Sequence, residues 1–467
     1  MLKLVQNWFA PRVNPIGVDF GSDCLRMAQV QHTGKEYNLV AAASADVPSH
    51  VRYNAAARLA FFVETVRDLL SQGQFRSRQA VLGLPAASMH IQHLRMAKMD
   101  DAETRKALVW EAQGKMPIEP AHALMRHVIA GEIYQDQEPK NEVIVMAAQR
   151  ELVHQFLAAA ARARLDVVGM NVEAKAVVDC FAHTYRRKAD GESTTCYLDI
   201  GCCASRAYIA RGNAIFFART IPIGGEHFSK AVAQALKINL DEAKLLRVKL
   251  CAAQPALNER NEKQTVRAPE PSIDNSFAVL GAALQAKAPA ATPGAGAATA
   301  TPQAAATAAM APPTPVAPTD PLAAQARQVE QACREPIARL IEELDLCRRY
   351  YEATFQNRPV DRLIFVGGES RHKWLCQQVA RELGLAAQLG DPLVRMSKVS
   401  DVGIESGIDR RQPQPAWAVA IGLSLGPTTG AGGAEPVAVG LGAGAGTGAS
   451  AAGAANAGAG ELSRGGE

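Results

Sequence analysis

The sequence has no run of about 18 apolar residues, the shortest stretch that reads as a helix crossing a bilayer. We therefore predict no transmembrane span. The opening residues are too few and too interrupted by polar side chains to form a signal peptide. A basic cluster is also missing, because 50 lysines and arginines stand against 46 aspartates and glutamates and the net charge of +4 is spread along the chain. The charge pattern therefore does not indicate binding to nucleic acid.

Metal-ligand spacing is missing as well. The 9 cysteines are odd in number and scattered, and the 10 histidines show no spacing typical of a metal site. In a chain without an export signal, these cysteines are interpreted as reduced cytosolic thiols. We interpret the adjacent Cys202 and Cys203 as small loop residues rather than a redox pair.

Two stretches lack the apolar residues that a core requires. Residues 286–319 are almost entirely Ala, Pro, Thr and Gly, and residues 427–467 are mostly Gly and Ala. Neither can bury enough apolar surface to offset the entropy of ordering. We predict a flexible insertion and a disordered tail.

What the sequence does contain is one pattern that occurs twice. Asp19-Phe20-Gly21 and Asp199-Ile200-Gly201 each end a predicted strand, and each is followed by a tight loop and a returning strand. Glycine lets loop amides face an anion such as phosphate, and aspartate can hold Mg²⁺ through water. A single Asp-x-Gly is typical of a hairpin turn. Two of them at the heads of matching strand pairs indicate a duplicated domain that closes on one nucleotide.

Two further features support that hypothesis. A buried strand beginning at Arg362 runs into Gly367-Gly368 and then a helix, a turn where a purine could lie against backbone. Glu173 is predicted at the start of a helix that follows a strand. It is either a carboxylate that positions an attacking water or one favoured there by the helix dipole. Asp19 and Asp199 likewise have an alternative interpretation as turn-capping residues.

Short motifs along the folded sequence resemble the PilM family, actin-like proteins of type IV pilus assembly that are related to FtsA. The resemblance rests on a set of segments in a specific order: Gly17-Val18-Asp19-Phe20-Gly21-Ser22, Val109-Trp110-Glu111-Ala112-Gln113, Met116-Pro117-Ile118, Val172-Glu173-Ala174, Asp199-Ile200-Gly201, Ile223-Gly224-Gly225, Phe365-Val366-Gly367-Gly368, Gly390-Asp391-Pro392 and Ala418-Val419-Ala420-Ile421-Gly422-Leu423.

The sequence pattern predicts the order β-α-β-β-α for the segment 86–165, with a helix from Asp101 to Lys115, and further helices from Glu173 to Tyr185 and from Lys373 to Leu383. The resemblance implies an α/β fold of the actin-like, ribonuclease H-like duplicated type, with two lobes and an inserted small α+β subdomain. The implied subdomains follow in chain order: 1A over 1–85, the inserted 1C over 86–165, the return of 1A over 166–190, 2A over 191–225, 2B over 226–355 with the flexible insertion 286–319, the return of 2A over 356–426, and the tail over 427–467.

The resemblance also implies ATP and Mg²⁺ between the lobes and at most slow ATP hydrolysis. Asp19 and Asp199 would hold the metal, and Glu173 would position water. The implied nucleotide contacts are Asp19, Gly21, Ser22, Arg26, Asp199, Gly201, Ser205, Gly225, Lys244, Arg247, Gly367, Gly368 and Ser370.

The implied partner is the cytoplasmic N-terminal peptide of a PilN-like membrane protein, bound in a groove between 1A and 1C. The protein would be cytoplasmic and peripheral at the inner membrane, reaching it only through that partner. Pilus motor or platform proteins and self-association are further implied contacts, and a type II secretion-related platform is an alternative setting.

This sequence departs from the family pattern at the cleft. Asp23 places a carboxylate in the first loop, where it would repel a triphosphate, and Arg26 stands where the family has lysine. Cys202, Cys203 and Ala204 stand where the family has a threonine among small residues, so only Ser205 keeps a hydroxyl in this loop, and Lys244 stands at the acidic ribose position. An alternative is therefore a degenerate actin-like scaffold that binds no nucleotide. Phosphoryl transfer of the sugar-kinase type is a third hypothesis, for which no catalytic carboxylate motif stands out.

Overall fold

The computed structural model describes residues 13–33, 36–72, 75–182, 191–251, 321–356, 358–398 and 407–426. The predicted flexible insertion and the predicted tail lie outside these residues, as does the end of the helix predicted to run from Glu173 to Tyr185. None of the helices within the described ranges is long and apolar enough to cross a bilayer.

The chain as far as residue 182 alternates strands and helices. Its elements are β1 (Ile16–Phe20), β2 (Cys24–Thr33), β3 (Glu36–Asp46), α1 (Ala55–Gln72), β4 (Gln79–Gly83), β5 (His90–Ala97), α2 (Asp101–Glu111), β6 (Ala123–Gln135), β7 (Glu138–Gln149), α3 (Arg150–Arg162), β8 (Asp166–Asn171) and α4 (Glu173–Ala182).

The later part repeats the opening pattern. Its elements are β9 (Thr194–Ile200), β10 (Ser205–Arg211), β11 (Ala214–Ile221), α5 (Gly225–Leu236), α6 (240–251), α7 (Pro321–Ala332), α8 (Arg334–Thr354), β12 (Arg362–Val366), α9 (Lys373–Leu383), β13 (Ala386–Leu389), β14 (Met396–Lys398) and α10 (Ala418–Leu425).

The two large sheets have the same strand order. In the first lobe the order is β3-β2-β1-β4-β8, with β14 added beside β3, and in the second it is β11-β10-β9-β12-β13. In both, the first three strands are antiparallel neighbours and the last two are parallel to the central strand. The duplication predicted from the two Asp-x-Gly hairpins is therefore present in the topology, and it places the two hairpins at equivalent positions.

The inserted segment forms a third sheet, in the order β5-β7-β6, with α2 against it. Asp100 caps α2 in a capping box with Glu103. The sequence predicts that α2 continues to Lys115, whereas it ends at Glu111, because Gly114 adopts a left-handed turn conformation with φ +72°. Glu142 of β7 joins this sheet to the second lobe, since its carboxylate accepts a hydrogen bond from Tyr350 of α8 at 2.7 Å.

Helix α10 lies between α4 and the first-lobe sheet, and glycine allows the close approach on both sides. A Cβ added at Gly17 of β1 would lie 1.9 Å from the carbonyl oxygen of Ala420, and one at Gly422 would lie 1.9 Å from that of Ala176. Ser424 fixes the helix further, because its hydroxyl accepts from the Val30 amide and donates to the Pro15 carbonyl, both at 2.8 Å. Helix α10 thus completes the core of the first lobe.

Candidate functional site

The two Asp-x-Gly hairpins face each other across the cleft between the lobes. Asp19 near the end of β1 is 8% exposed and Asp199 near the end of β9 is 4% exposed. Each aspartate has an arginine as its cross-strand partner: Asp19 pairs with Arg26 and Asp199 with Arg206. The duplication therefore brings two buried aspartates, each opposite an arginine in the strand register, to the floor of one cleft.

Arg206 is the central cation of this floor. Its Nη1 lies 3.0 Å from Asp199 Oδ2, and its Nε lies 3.0 Å from Glu173 Oε2 at the start of α4. Burial lowers the pKa of this guanidinium, but the two carboxylates outweigh that effect and raise it above its ordinary value. Glu173 is located where the sequence predicts, and its carboxylate is bound to arginine.

The pKa of Asp19 is well above the ordinary value for an aspartate. Burial raises the pKa of its carboxyl to about 6, while Arg26 lowers it and the nearby Asp199 raises it. The charged form of Asp19 is therefore less stable in the folded protein than in the unfolded chain, although it still predominates at neutral pH.

Asp19→Asn is expected to stabilise the protein above pH 6, by roughly 2 kcal/mol. Because the folded pKa of about 6 exceeds the ordinary aspartate pKa of 3.8, the folded state binds more protons between these values, and wild-type stability falls as pH rises through that window. Asparagine removes this loss. Urea unfolding from pH 4 to pH 8 measures it, with Asp68→Asn, a change at an exposed position of α1, as the control. Parallel pH curves for wild type and Asp19→Asn would contradict this assignment.

The first loop is held by a neighbouring helix. Arg58 of α1 donates from Nη1 to the Ser22 carbonyl and from Nη2 to the Gly21 carbonyl, both at 3.2 Å. Asp23 reaches across the cleft, where its Oδ2 lies 3.5 Å from Lys244 Nζ on α6. Asp23 in the first lobe and Lys244 in the second each depart from the family pattern in a way that disfavours a nucleotide. In the structure their opposite charges pair with each other.

The second loop packs on the N-terminus of α5. The amide of Gly225 donates to the Gly201 carbonyl at 2.9 Å, and the amide of Glu226 donates to the Cys202 carbonyl at 2.8 Å. The Ser205 hydroxyl, predicted to contact phosphate, instead donates to the Ile223 carbonyl at 2.6 Å. These donors are therefore satisfied by the protein itself and do not face an anion.

A thiol group links the two loops. Hydrogen bonds from Cys202 and Ser22 lower the pKa of Cys203 to about 6, against the opposing effects of burial and of Glu226. The two sulfurs and a Glu226 oxygen lie within 4.8 Å of one another. The Glu226 carboxylate already accepts from Tyr53, across the cleft, and pairs with Lys230 at 2.7 Å. Its oxygens therefore have protein partners.

The predicted purine turn is occupied by an ion pair. Gly367 has φ +89°, a conformation that favours glycine. Glu369, two residues further along the same turn, forms an ion pair with Arg247 of α6. Its carboxylate occupies the space that a Cβ on Gly225 would need. Arg247 also donates to the Gly225 carbonyl at 2.9 Å.

Two predicted nucleotide contacts remain, Gly368 and Ser370. Gly368 has open space where its Cβ would be, with only Arg26 Nη2 at 3.9 Å. The Ser370 hydroxyl, predicted to face the nucleotide, instead donates to the Val366 carbonyl within its own turn. The structure thus brings the predicted residues to one cleft, but it turns both the Ser205 and the Ser370 hydroxyls away from a ligand.

Arg206 is the important cleft residue that the sequence reasoning missed. A signal for it was available, because Asp19 to Arg26 and Asp199 to Arg206 have the same spacing. No comparable signal marks Arg58 or Tyr53, which reach the cleft from a distant helix and loop.

These side chains do not fit a magnesium nucleotide in this arrangement. Mg²⁺ keeps several waters in an octahedral shell, so its carboxylates must face open space. Here the Arg206 guanidinium lies between the carboxylates of Asp199 and Glu173. A triphosphate without metal would meet three carboxylates and two guanidiniums at the floor of the cleft. These groups together carry no net positive charge that could balance the negative charge of the triphosphate.

Comparisons with known proteins agree with the fold. A family model for the type IV pilus assembly protein PilM matches residues 17–252, and one for the cell division protein FtsA matches residues 196–422. A solved PilM-PilN type IV pilus biogenesis complex has a TM-score of 0.60 and 20% identity, covering 89% of this chain and 98% of that one.

The ethanolamine utilization protein EutJ from Carboxydothermus hydrogenoformans has a TM-score of 0.42 and 13% identity, covering 89% of this chain and 90% of that one. No curated protein matches the sequence. The predicted fold class, an actin-like duplicated α/β fold with two lobes, is confirmed.

Proposed function

Since the chain belongs to the PilM family of type IV pilus assembly proteins, we propose that it is an adaptor that holds the cytoplasmic N-terminal peptide of a PilN-like membrane protein. It acts in the cytoplasm and reaches the inner membrane through that partner. The solved relative is a complex of PilM with PilN. We propose that the peptide lies in a groove between the first-lobe sheet and the inserted subdomain, and the observation that carries this is edge strand β8 next to an apolar cluster.

Edge strand β8 forms one side of this groove. It ends the first-lobe sheet, so its outer backbone groups have no strand partner among the described residues. Val168 on this strand is 46% exposed. An extended peptide can add to such an edge through main-chain hydrogen bonds, while side-chain pockets select its sequence.

An apolar cluster forms the floor. Leu84, Ala148 and Val153 are buried where the first lobe meets the inserted subdomain, and the half-buried side chains of Met89, Leu124, Leu157 and Met170 pack against them. Methionine is flexible and polarisable, so it adapts to an inserted apolar side chain. We therefore expect the bound peptide to be extended, with at least one apolar anchor.

Val168→Glu is expected to weaken binding of a synthetic PilN-like N-terminal peptide at least about tenfold, because a carboxylate would stand at the edge where the apolar anchor binds. Isothermal calorimetry measures the affinity. The matched control is Leu245→Glu, which changes a side chain 69% exposed on α6 of the other lobe. Equal affinity for wild type and Val168→Glu would contradict the location of the groove.

An ATP-dependent adaptor is the second candidate, and the two facing Asp-x-Gly hairpins favour it. We propose instead that peptide binding does not require nucleotide, because Arg206, Lys244 and Arg247 already neutralise the cleft carboxylates. Repeating the peptide titration with saturating ATP and Mg²⁺ separates the two. A large gain in peptide affinity, or magnesium-dependent ATP binding by itself, would favour the ATP-dependent form.

A further inference from the structure

The floor of the cleft contains a cation fixed by the protein itself, Arg206. Arg206 lies on β10 directly opposite Asp199 on β9, so the strand register alone determines how close the two side chains come. The arginine side chain is 11% exposed, and the side chains of Asp199 and Glu173 are 6% and 10% exposed. Buried carboxylates need a counter-ion, because a charge without one is costly to remove from water.

One guanidinium serves both carboxylates by different atoms. Nη1 contacts Asp199 and Nε contacts Glu173, each at 3.0 Å. The contact with Asp199 is a hydrogen bond, and the contact with Glu173 is an ion pair. A planar, delocalised cation can attract two acids from different edges, whereas lysine offers only a point charge. The bridge also connects the lobes, since Glu173 begins α4 of the first and Asp199 belongs to the second.

Two glycines leave room for the bridge. A Cβ on Gly367 would lie 2.2 Å from Asp199 Oδ1, and one on Gly201 would lie 3.3 Å from Arg206 Nη1. Both glycines belong to motifs that suggested nucleotide contacts. In this chain, the space that they leave is taken by the side chains of Asp199 and Arg206.

We propose that Arg206 is a built-in counter-ion that takes the place of a divalent cation in this cleft, so that the two lobes are joined without bound metal. It acts as a positioning residue, holding Asp199 and Glu173 together across the lobes. The proposal concerns the cleft and is independent of the peptide groove.

The test compares thermal unfolding of the full chain in EDTA with unfolding in MgCl₂ or MnCl₂ at matched ionic strength. We expect the wild-type midpoint to be the same in all three solutions. Arg206→Met should lower the midpoint in EDTA by roughly 5 °C, because it leaves two buried carboxylates unpaired. Mg²⁺ or Mn²⁺ should then recover a saturable part of that loss.

Arg219→Met is the matched control. It removes an arginine of the neighbouring strand whose ion pair with Glu343 is partly exposed, and it should show no metal dependence. If Arg206→Met does not fold, the double variant Arg206→Met with Asp199→Asn should, because it removes opposite charges together. Saturable stabilisation of the wild type by Mg²⁺, or an Arg206→Met midpoint unchanged in EDTA, would overturn the proposal. Peptide binding tested separately distinguishes that failure from failure of the adaptor function.

Discussion

Gly422→Ala is expected to destabilise the protein by about 3 kcal/mol, a large effect for one added methyl group. The new Cβ would lie 1.9 Å from the Ala176 carbonyl oxygen, so α10 must move away from α4. Backbone atoms cannot move aside as the end of a flexible side chain can. The helix would separate from the first-lobe sheet as well, because the same helix contacts β1 through Gly17. Urea unfolding measures the loss.

Gly169→Ala on β8 is the matched control. A Cβ there would meet only Val81 Cγ2 at 3.8 Å, an ordinary contact. This variant should therefore unfold near the wild-type midpoint. A loss equal to that of Gly422→Ala would mean that the cost comes from the alanine itself and not from the contact with Ala176.

Arg247→Met is expected to cost about 3 to 5 kcal/mol. Its side chain is 2% exposed, and its removal leaves the Glu369 carboxylate without its main partner. Although burial raises the pKa of Glu369, Arg247 and then His372 lower it below the ordinary value, so the residue is charged in the folded state. Methionine preserves most of the volume. The loss therefore reports charge and hydrogen bonding rather than a cavity.

Two variants test the origin of that loss by urea unfolding. Adding Glu369→Gln to Arg247→Met should recover part of the stability, because the unpaired charge is then gone. Lys244→Met removes a neighbouring cation of α6 that is 39% exposed and should cost little. Equal losses for Arg247→Met and Lys244→Met would contradict the buried ion pair.

The duplicated hairpins and the β-α-β-β-α order of the insertion could be predicted from the sequence. Both follow from the apolar periodicity of short segments whose ends are marked by turn residues. Helix α9 was predicted with the bounds that it has, Lys373–Leu383. Strand β14 was missed, since three residues are too few to show a period. Helix α7 was missed because it follows a Pro- and Ala-rich stretch that hides its start.

The contacts across the cleft could not be predicted, since they depend on the angle between lobes. Asp23 and Lys244 are each unfavourable for a nucleotide when considered alone, and the structure pairs them. Glu369 was recognised only as a departure from a Gly-rich turn, and its partner Arg247 is 122 residues away. Sequence patterns therefore predict which residues lie at the cleft more readily than they predict the partners of those residues.

The position of α10 has a consequence for synthesis on the ribosome. The first-lobe sheet receives β14 at its edge and α10 on its face, both from residues near the end of the described part of the chain. At ~5–20 residues per second, about 20 to 80 seconds pass between the emergence of β2 and that of α10. During this interval the nascent first lobe presents the apolar surface that α10 covers in the completed fold, so we expect this lobe to finish folding only after α10 has emerged.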